Sequence, residues 1–488
     1  MEVLPVCWAR RERRAITLGA LLLCVSACSG DTATVVSSSP VVLVTIDTLR
    51  RDHLGCYGHI RDTSPHLDAL AHEGIRFERA VAPIATTLPS HLSLFTSLQP
   101  HQHGLLPNRS ALKRSYVSGP GHESVTVLLR ESGYRTAAFV SARPVSRFTG
   151  IDAGFETFDE PRGIQRSAAL TTERVLEWLG SRPEGPFFLW VHYWEPHEYN
   201  RPPQPHADRF RTDAALERLI DARGVDPAPL NDLAHLDRAL MFFPSLAQRI
   251  RSGEALELPR IDRTAILDLY NRYDGDVSYV DAEFGRLLEA LEEGGLLERS
   301  TVAVTADHDQ SLGQHDWLGH NRITNENLYV RLVVRFPEPP VAQPSVFPGT
   351  VSLVDVMPTI LARLDVAAGA RLAAQAEGED VLSGRPLRGH AFSQRTSRLD
   401  DEPGARYALL TDRWRYVRRA DDRDALFDLA LDPGGRRDVV DRHRETATRL
   451  RGTLEAILER RPAPEPDSSR RAGGKEFEEH LRSLGYAE

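Results

Sequence analysis

Residues 41–58 read VVLVTIDTLRRDHLGCYG, an apolar run that ends in an aspartate. The run at 41–46 is rich in β-branched residues, which is typical of a strand covered on both faces in a parallel sheet. Asp47 follows it directly, and in open α/β sheets ligands gather at the carboxyl ends of strands. The stretch therefore predicts an α/β fold with a candidate metal ligand at Asp47, whose alternative role is to cap a helix.

Helix and strand patterns alternate outward from this stretch. Apolar runs of strand length are separated by segments with helical periodicity. This order is typical of an α/β fold, and we expect one large, mostly parallel sheet sandwiched by helices. Strands are predicted at 75–81, 134–140, 187–192 and 301–305, and helices at 64–71, 123–131, 171–179 and 262–291.

The chain is long enough for a large domain and a smaller appendage. Of its 488 residues, 41% are hydrophobic, which is enough to bury a large core. We predict a large domain at 40–388 and a small α+β subdomain at 389–488. Prolines interrupt the segment 196–259. We interpret it as an insertion near the mouth of the site, or alternatively as a surface excursion without substrate contact.

The N-terminal residues have the pattern of a targeting signal. Four arginines within the first fourteen residues precede an apolar stretch at 15–25, which is too short for a stable membrane span. The following Val25-Ser26-Ala27-Cys28 resembles the bacterial lipobox, in which the cysteine is acylated. We predict a lipoprotein signal peptide at 1–27, lipidation of Cys28 and a tether at 28–39. The protein would then be periplasmic or at the cell surface, anchored in the outer membrane; an ordinary signal peptide is the alternative.

Charge and cysteine content exclude some classes of protein. The formal net charge is -9, and no long basic run follows the first fourteen residues, which argues against a nucleic-acid partner. Of four cysteines, Cys7 and Cys24 would leave with the signal and Cys28 would be lipidated. Cys56 then remains alone, so no disulfide is expected. A nucleophilic Cys56 is an alternative to a buried structural cysteine.

A second predicted strand also ends in side chains that bind metals. Asp307 and His308 follow the strand at 301–305 directly. Together with Asp47 they would supply two carboxylates and one imidazole, a set that suits a hard divalent cation with a single nitrogen ligand. We expect one such ion.

Thr87 is the candidate nucleophile. It precedes the predicted helix at 92–98, with Pro89 in the first turn. Backbone N–H groups and the dipole at a helix N-terminus favour an anionic ester, and a metal would make the hydroxyl easier to deprotonate. The alternative is an N-cap threonine.

Taken together, these motifs resemble the sulfatases, a branch of the alkaline-phosphatase superfamily. The resemblance extends from residue 41 to about residue 440, and its motifs occur in the family order. They are VTIDTLRRDHLGCYG at 44–58, TLPSH at 87–91, HYWEPH at 192–197, YDGDV at 273–277, ADH at 306–308, GQH at 313–315, VDVMPT at 354–359 and LFDL at 426–429.

The resemblance implies roles for individual residues. It implies a sulfatase-like fold for 40–388, with Asp47, Thr87, Asp307 and His308 as metal ligands. It further implies that Thr87 is the nucleophile and that His192 and His320 are catalytic. Substrate-binding candidates are Arg50, Arg51 and His197. A second metal on His192, Glu195, His197 and His320 is an open alternative.

The chain departs from the family where the chemistry matters most. Sulfatases mature a Cys or Ser within Cys/Ser-x-Pro-x-Arg to formylglycine, whereas this chain has Thr87, Pro89 and His91. Threonine cannot give that aldehyde. Thr48 and Glu195 also stand where aspartates are usual. Phosphate, phosphodiester and phosphonate esters therefore become candidate substrates beside sulfate esters.

We therefore predict a metal-dependent hydrolase of sulfate or phosphate-type esters. Calcium is the first choice of ion, with manganese, magnesium and zinc as alternatives. The substrate would be an anionic ester, for example on a glycan or a lipid headgroup, and the lipid anchor would hold the protein on a membrane. The alternatives are a phosphoester or phosphonate hydrolase or phosphotransferase of the same superfamily, and a non-catalytic lipoprotein that binds anionic glycans.

Replacing Cys28 with alanine should abolish lipid labelling, because the acyl chains attach at that thiol. Incorporation of a radiolabelled or alkynyl fatty acid into the wild type and the variant measures this. Cys56→Ala is the matched control and should label normally. Label that persists in Cys28→Ala would disprove the lipoprotein prediction.

Overall fold

A computed structural model describes residues 39–106, 115–197, 200–254, 256–337, 345–395, 405–419 and 423–460. The predicted signal peptide and Cys28 lie outside this part of the chain. None of the helices in the described ranges has both the length and the apolar character needed to cross a bilayer.

The predicted α/β fold with a mostly parallel sheet is confirmed. The main sheet consists of β1 (Val41–Ile46), β2 (Ile75–Val81), β3 (Arg135–Val140), β4 (Thr157–Asp159), β5 (Phe187–Tyr193), β6 (Thr301–Thr305), β9 (Tyr329–Val330), β10 (Leu332–Arg335) and β11 (Val346–Ser352). Along the described strands the order is β11-β2-β10-β6-β1-β5-β3-β4, and β9 pairs with β2. The central block β6-β1-β5-β3-β4 is parallel, whereas β10 runs antiparallel to both of its neighbours.

Both faces of the sheet are covered, as the apolar run at 41–46 predicts. Along β1, Val41 and Leu43 face one core, and Val42, Val44 and Ile46 face the other. The first core is shared with α2 (Thr87–Thr96), α4 (Val125–Glu131), α12 (Val356–Leu361) and α13 (Ala367–Gln375), and the second with α1 (Pro65–Glu73), α5 (Ala168–Gly180) and α10 (Arg263–Glu293). A short α3 (Pro100–His103) follows α2.

The insertion at 196–259 folds into short helices. These are α6 (Ala214–Arg223), α7 (Pro227–Leu230), α8 (His235–Phe242) and α9 (Pro244–Arg251). Proline starts two of them, because its missing N–H is tolerated in the first turn. The insertion lies against the small hairpin β7 (Ser311–Leu312) and β8 (Leu318–Gly319), where a Cβ at Gly313 would come within 2.5 Å of Val225. This hairpin leads to His320, and α11 (Asn325–Leu328) follows.

The described part of the C-terminal region is an antiparallel sheet with one helix. The sheet contains β12 (Ala391–Gln394), β13 (Ala405–Leu410), β14 (Trp414–Arg419) and β15 (Asp424–Asp428), and α14 (Arg444–Leu458) covers one of its faces. The other face packs on the large domain beside Ala85 and Tyr329. The appendage thus lies close to the segment that leads into α2.

Leu43→Ala should lower the free energy of unfolding by about 2–5 kcal/mol, because it leaves a cavity in the core beneath the central strand. Leu43 is fully buried. Leu431→Ala is the matched control, since Leu431 is 81% exposed, and it should change stability by no more than about 0.5 kcal/mol. Urea unfolding followed by circular dichroism measures both, and equal effects would contradict the assignment of β1 to the core.

Candidate active site

The candidate site begins at the ends of two neighbouring parallel strands. Strands β1 and β6 pair in register, with Thr45 beside Thr305, so the residues that follow them lie at the same edge of the sheet. Ligand atoms of Asp47, Asp307 and His308 lie within 4.8 Å of one another. All three side chains are fully buried.

A strained backbone follows Asp47. Thr48 has φ of 50°, in the left-handed region that a threonine rarely adopts. Tyr273 of α10 holds this turn: its hydroxyl donates to the Thr48 carbonyl at 2.7 Å and accepts from the Arg50 N–H at 2.8 Å. The long helix therefore fixes the direction in which the chain leaves the site.

Thr87 lies at the start of α2 and faces Asp47. Its Oγ1 is 3.4 Å from Asp47 Oδ2, and its side chain is fully buried. The N-cap position belongs to Thr86, whose hydroxyl donates to Asn321 Oδ1 at 2.9 Å. The alternative interpretation of Thr87 as an N-cap is therefore wrong, and its hydroxyl is directed to the carboxylate cluster.

Two of the predicted histidines adjoin this cluster. His192 lies near the end of β5, beside Thr45 of β1, with Nε2 3.7 Å from Asp47 Oδ2. Burial lowers the pKa of His192 to about 4, so the ring is uncharged at neutral pH. The ring centroid of His320 is 4.7 Å from that of His308, at an edge where His320 is 5% exposed.

His197 lies next to His320. Its ring stacks on Trp194 with centroids 3.8 Å apart, and it lies 5.4 Å from the ring of His320. In the part of the chain that the structure describes, the ligand atoms of the second-metal alternative are not gathered within 4.8 Å of one another. The residues of that second-metal alternative are His192, Glu195, His197 and His320. These four side chains therefore do not form a group of possible metal ligands in the described structure.

The described contacts of Arg50 and Arg51 are with residues outside the cluster. The Arg50 guanidinium pairs with Asp52 at 2.7 Å and donates to Gln314 Oε1 at 2.9 Å. Arg51 donates to the Glu78 carbonyl and lies over the ring of Tyr329, 4.6 Å from its centroid. Both line a cleft whose lining residues do not include Asp47 or Thr87.

His91 is a site residue whose position the sequence reasoning left unexplained. Its Nδ1 lies 2.8 Å from the Thr87 carbonyl, which can only accept, so this nitrogen carries the proton. Its Nε2 therefore accepts a hydrogen bond from Thr45 Oγ1 at 3.0 Å. The same Thr45 oxygen accepts one from the Trp190 indole N–H at 2.9 Å. His91 thus ties the first turn of α2 to β1. The available signal was its spacing of four residues from Thr87, which puts both on one helix face.

Cys56 does not have the surroundings of a nucleophile. It is half-buried, and its backbone N–H donates to Asp68. Burial, with a further contribution from the Asp68 carboxylate, raises the pKa of its thiol. A thiol that is harder to deprotonate is less reactive. These surroundings favour the structural interpretation.

A second group of possible ligands lies elsewhere, at His53, His59 and Asp274. Arg223 Nη1 lies 2.7 Å from His53 Nε2, and His53 Nδ1 lies 2.6 Å from Asp274 Oδ1. Since the arginine can only donate, His53 Nε2 accepts and Nδ1 donates to the carboxylate. Burial and then Arg223 lower the pKa of His53 to about 3. Two nearby guanidinium groups, those of Arg61 and Arg223, make this group unsuitable for a cation.

The Asp47 cluster, in contrast, fits a divalent ion. Asp307 Oδ2 is buried and accepts no hydrogen bond from the described residues. The described ion-pair contacts of the two carboxylates are with imidazole nitrogens, at 3.5–4.0 Å. Two buried carboxylates side by side need a cation, and oxygen ligands with one imidazole suit a divalent one.

Comparison with known proteins identifies relatives of this chain. The family model described as Sulfatase matches residues 39–366. An N-acetylglucosamine-6-O-sulfatase of Bacteroides thetaiotaomicron is 24% identical over 61% of this chain and 63% of its own length. The phosphonate monoester hydrolase of Agrobacterium radiobacter superposes with a TM-score of 0.63 and 21% identity, over 86% of this chain and 95% of that one.

A further solved structure holds its substrate D-glucosamine-2-N,6-O-disulfate. It superposes with a TM-score of 0.65 and 20% identity, over 89% of this chain and all of the other. At these identities the solved structures establish the fold. This chain spans about three-fifths of the length of the curated relatives that it matches.

Asp307→Asn should strongly reduce the bound divalent metal, because the amide removes one of the two charged ligands. Inductively coupled plasma mass spectrometry after gel filtration measures the metal content per chain. His59→Gln in the other group is the matched control and should retain the metal content of the wild type. Metal lost from His59→Gln but kept by Asp307→Asn would reverse the assignment.

Proposed function

The chain belongs to the sulfatase family of the alkaline-phosphatase superfamily, and we propose that it is a metal-dependent hydrolase of anionic sulfate or phosphate-type esters. The observation that carries the proposal is the position of Thr87. Its hydroxyl lies at a helix N-terminus, 3.4 Å from Asp47 and beside the Asp307–His308 pair. This arrangement joins a nucleophile, an anion-binding dipole and a ligand set for a cation.

The residues of this chain suggest the following reaction. Thr87 Oγ1 attacks the sulfur or phosphorus atom, the bond to the leaving oxygen breaks, and Thr87 carries the ester until water hydrolyses it. A divalent cation held by Asp47, Asp307 and His308 would ease deprotonation of the hydroxyl and balance the charge of the ester. The first N–H groups of α2 would bind the charged oxygens.

The leaving oxygen needs a proton, and two histidines are near enough to supply it. His320 is better placed than His192, because it is 5% exposed whereas His192 is fully buried. With its pKa lowered to about 4 by burial, His192 suits a role in hydrogen bonding to the substrate. Both roles are part of the proposal.

Within this class, we place phosphate and phosphonate esters ahead of sulfate esters. Threonine forms no aldehyde hydrate and so lacks the elimination route by which formylglycine releases sulfate. The superposition with a phosphonate monoester hydrolase supports one class, and that with the protein holding a disulfated glucosamine supports the other. A glycan or a lipid headgroup would carry the ester.

We also propose that the protein acts at the periplasmic or cell-surface side of the outer membrane, held there by a lipid on Cys28. The basic, apolar and lipobox order of residues 10–28 supports this location. The insertion at 196–259 would control the access of substrate to the site, because Val225 packs against the turn at Gly313 that leads to His320.

Thr87→Ala should lower kcat/KM by about 1000-fold or more, because no other described hydroxyl occupies its position. The assay compares p-nitrophenyl phosphate, bis-p-nitrophenyl phosphate, p-nitrophenyl phenylphosphonate and p-nitrophenyl sulfate with calcium, manganese, magnesium and zinc. We expect the phosphorus esters to exceed the sulfate, and peptide mass analysis to show an unmodified Thr87.

Thr86→Ala is the matched control, since it removes the neighbouring hydroxyl. It should cost at most about tenfold, the value of one neutral hydrogen bond. Turnover that survives Thr87→Ala would overturn the nucleophile, and turnover of sulfate alone would overturn the preference for phosphorus esters. Bound metal without turnover of any ester would favour the binding protein.

A further inference from the structure

Arg331 is a charged residue whose side chain lies entirely inside the protein. It stands between β9 and β10, next to β6, and it is fully buried. Arginine is almost never fully buried without a partner. Burial lowers the pKa of Arg331, but a guanidinium remains charged at neutral pH. A buried charge costs free energy of folding, so the contacts that the guanidinium makes are informative.

The guanidinium of Arg331 donates its described hydrogen bonds to backbone carbonyls. Nη1 donates to the Leu49 carbonyl at 3.0 Å, and Nη2 donates to the Thr305 carbonyl at 2.8 Å. The third nitrogen, Nε, has no hydrogen-bond partner among the described residues. Asp309 is a nearby carboxylate, but its Oδ1 is also without a hydrogen bond in the described part of the chain. These contacts therefore serve the main chain.

The two carbonyls belong to the segments that carry the candidate metal carboxylates. Leu49 is two residues after Asp47, and Thr305 is the last residue of β6, two residues before Asp307. The guanidinium thus joins the loop after β1 to the end of β6. Because its donors have fixed positions in one plane, it sets the spacing of the two carbonyls in a way that a single ammonium group cannot.

Other contacts hold these segments but do not join them beyond the strands. The pairing of β1 with β6 ends with Thr45 beside Thr305, before either carboxylate is reached. Tyr273 accepts the task of holding the Thr48 carbonyl, but it fastens the loop to α10. The Thr305 hydroxyl donates to the Arg331 carbonyl at 2.8 Å, so these two residues are joined twice. Of these contacts, those of the Arg331 guanidinium link the two segments past the paired strands.

We propose that Arg331 is a positioning residue that sets the distance between Asp47 and Asp307, and with it the affinity of the site for a divalent cation. The inference rests on the proposed function, because it takes these carboxylates as the metal ligands. Divalent ions bind oxygen ligands within a narrow range of distances, so a shift of one segment against the other weakens binding. Replacing a residue that orients metal ligands typically lowers metal affinity by about 10–100-fold.

Metal binding by the full-length protein tests this role. The protein is stripped with EDTA and passed through gel filtration, and calcium and manganese are then titrated separately in a calorimeter. Arg331→Gln should raise the Kd of the metal by about tenfold or more, because the shorter amide cannot span both carbonyls. The sign of the change is decisive. A nearby positive charge repels a metal cation, so loss of the charge alone would lower the Kd.

Arg415→Gln is the matched control. Arg415 is also buried, and its guanidinium donates to the Gly435 carbonyl at 2.7 Å and to Asn325 Oδ1 at 2.8 Å, away from both metal-ligand segments. The control variant loses the same kind of contacts and should leave the Kd of the metal unchanged. Circular dichroism and thermal unfolding of the metal-free proteins show that each variant is folded.

Arg331→Lys is a second variant that keeps the buried charge. It should also raise the Kd, because an ammonium group cannot hold both carbonyls in the geometry of the guanidinium. An unchanged or lowered Kd in the folded Arg331 variants would overturn the proposal, as would an equal increase in Arg415→Gln.

Failure of this inference is distinct from failure of the proposed hydrolysis. A wild type that binds metal but turns over no ester contradicts the hydrolase, and the Kd comparison then still decides the role of Arg331. A wild type that binds neither ion contradicts both.

Discussion

The pairing of β1 between β5 and β6 is the constraint on which the candidate site depends. Parallel strands in register end at the same level, so the side chains that follow them meet at one edge. This brings His192, Asp47 and Asp307 together from three distant parts of the chain. Burying two carboxylates at this edge of the sheet is costly without a cation. The same edge is therefore suited to hold a metal ion.

The sequence predicts the ends of the central strands well, because apolar runs stop where the polar residues of the site begin. It predicts neither the strand order nor the route of the chain after Asp47. Thr48 adopts a left-handed conformation, and this turn directs Arg50 toward Asp52 and Gln314. The prediction that Arg50 and Arg51 bind substrate stays a prediction, because a motif carries no information about which side of a strained turn faces the site.

His91 stands where the sulfatase motif has an arginine, and this changes how the candidate nucleophile Thr87 is supported. An arginine brings a permanent charge and several donors, whereas the imidazole here donates to the Thr87 carbonyl and accepts from Thr45. The first turn of α2 is therefore held by the hydrogen bonds that join His91 to the Thr87 carbonyl and to Thr45 of β1, in place of the permanent charge of an arginine. The periodicity of the sequence could not predict this role of His91, because the role depends on the contact of α2 with β1 and Trp190.

Tyr273 also determines how this region can open. One hydroxyl on α10 holds both the Thr48 carbonyl and the Arg50 N–H, and the next residue, Asp274, holds His53. The loop at 48–53 therefore cannot detach without breaking contacts with a buried helix of 31 residues. Its amide protons should exchange with solvent as slowly as those of the helix interior, as one cooperative unit.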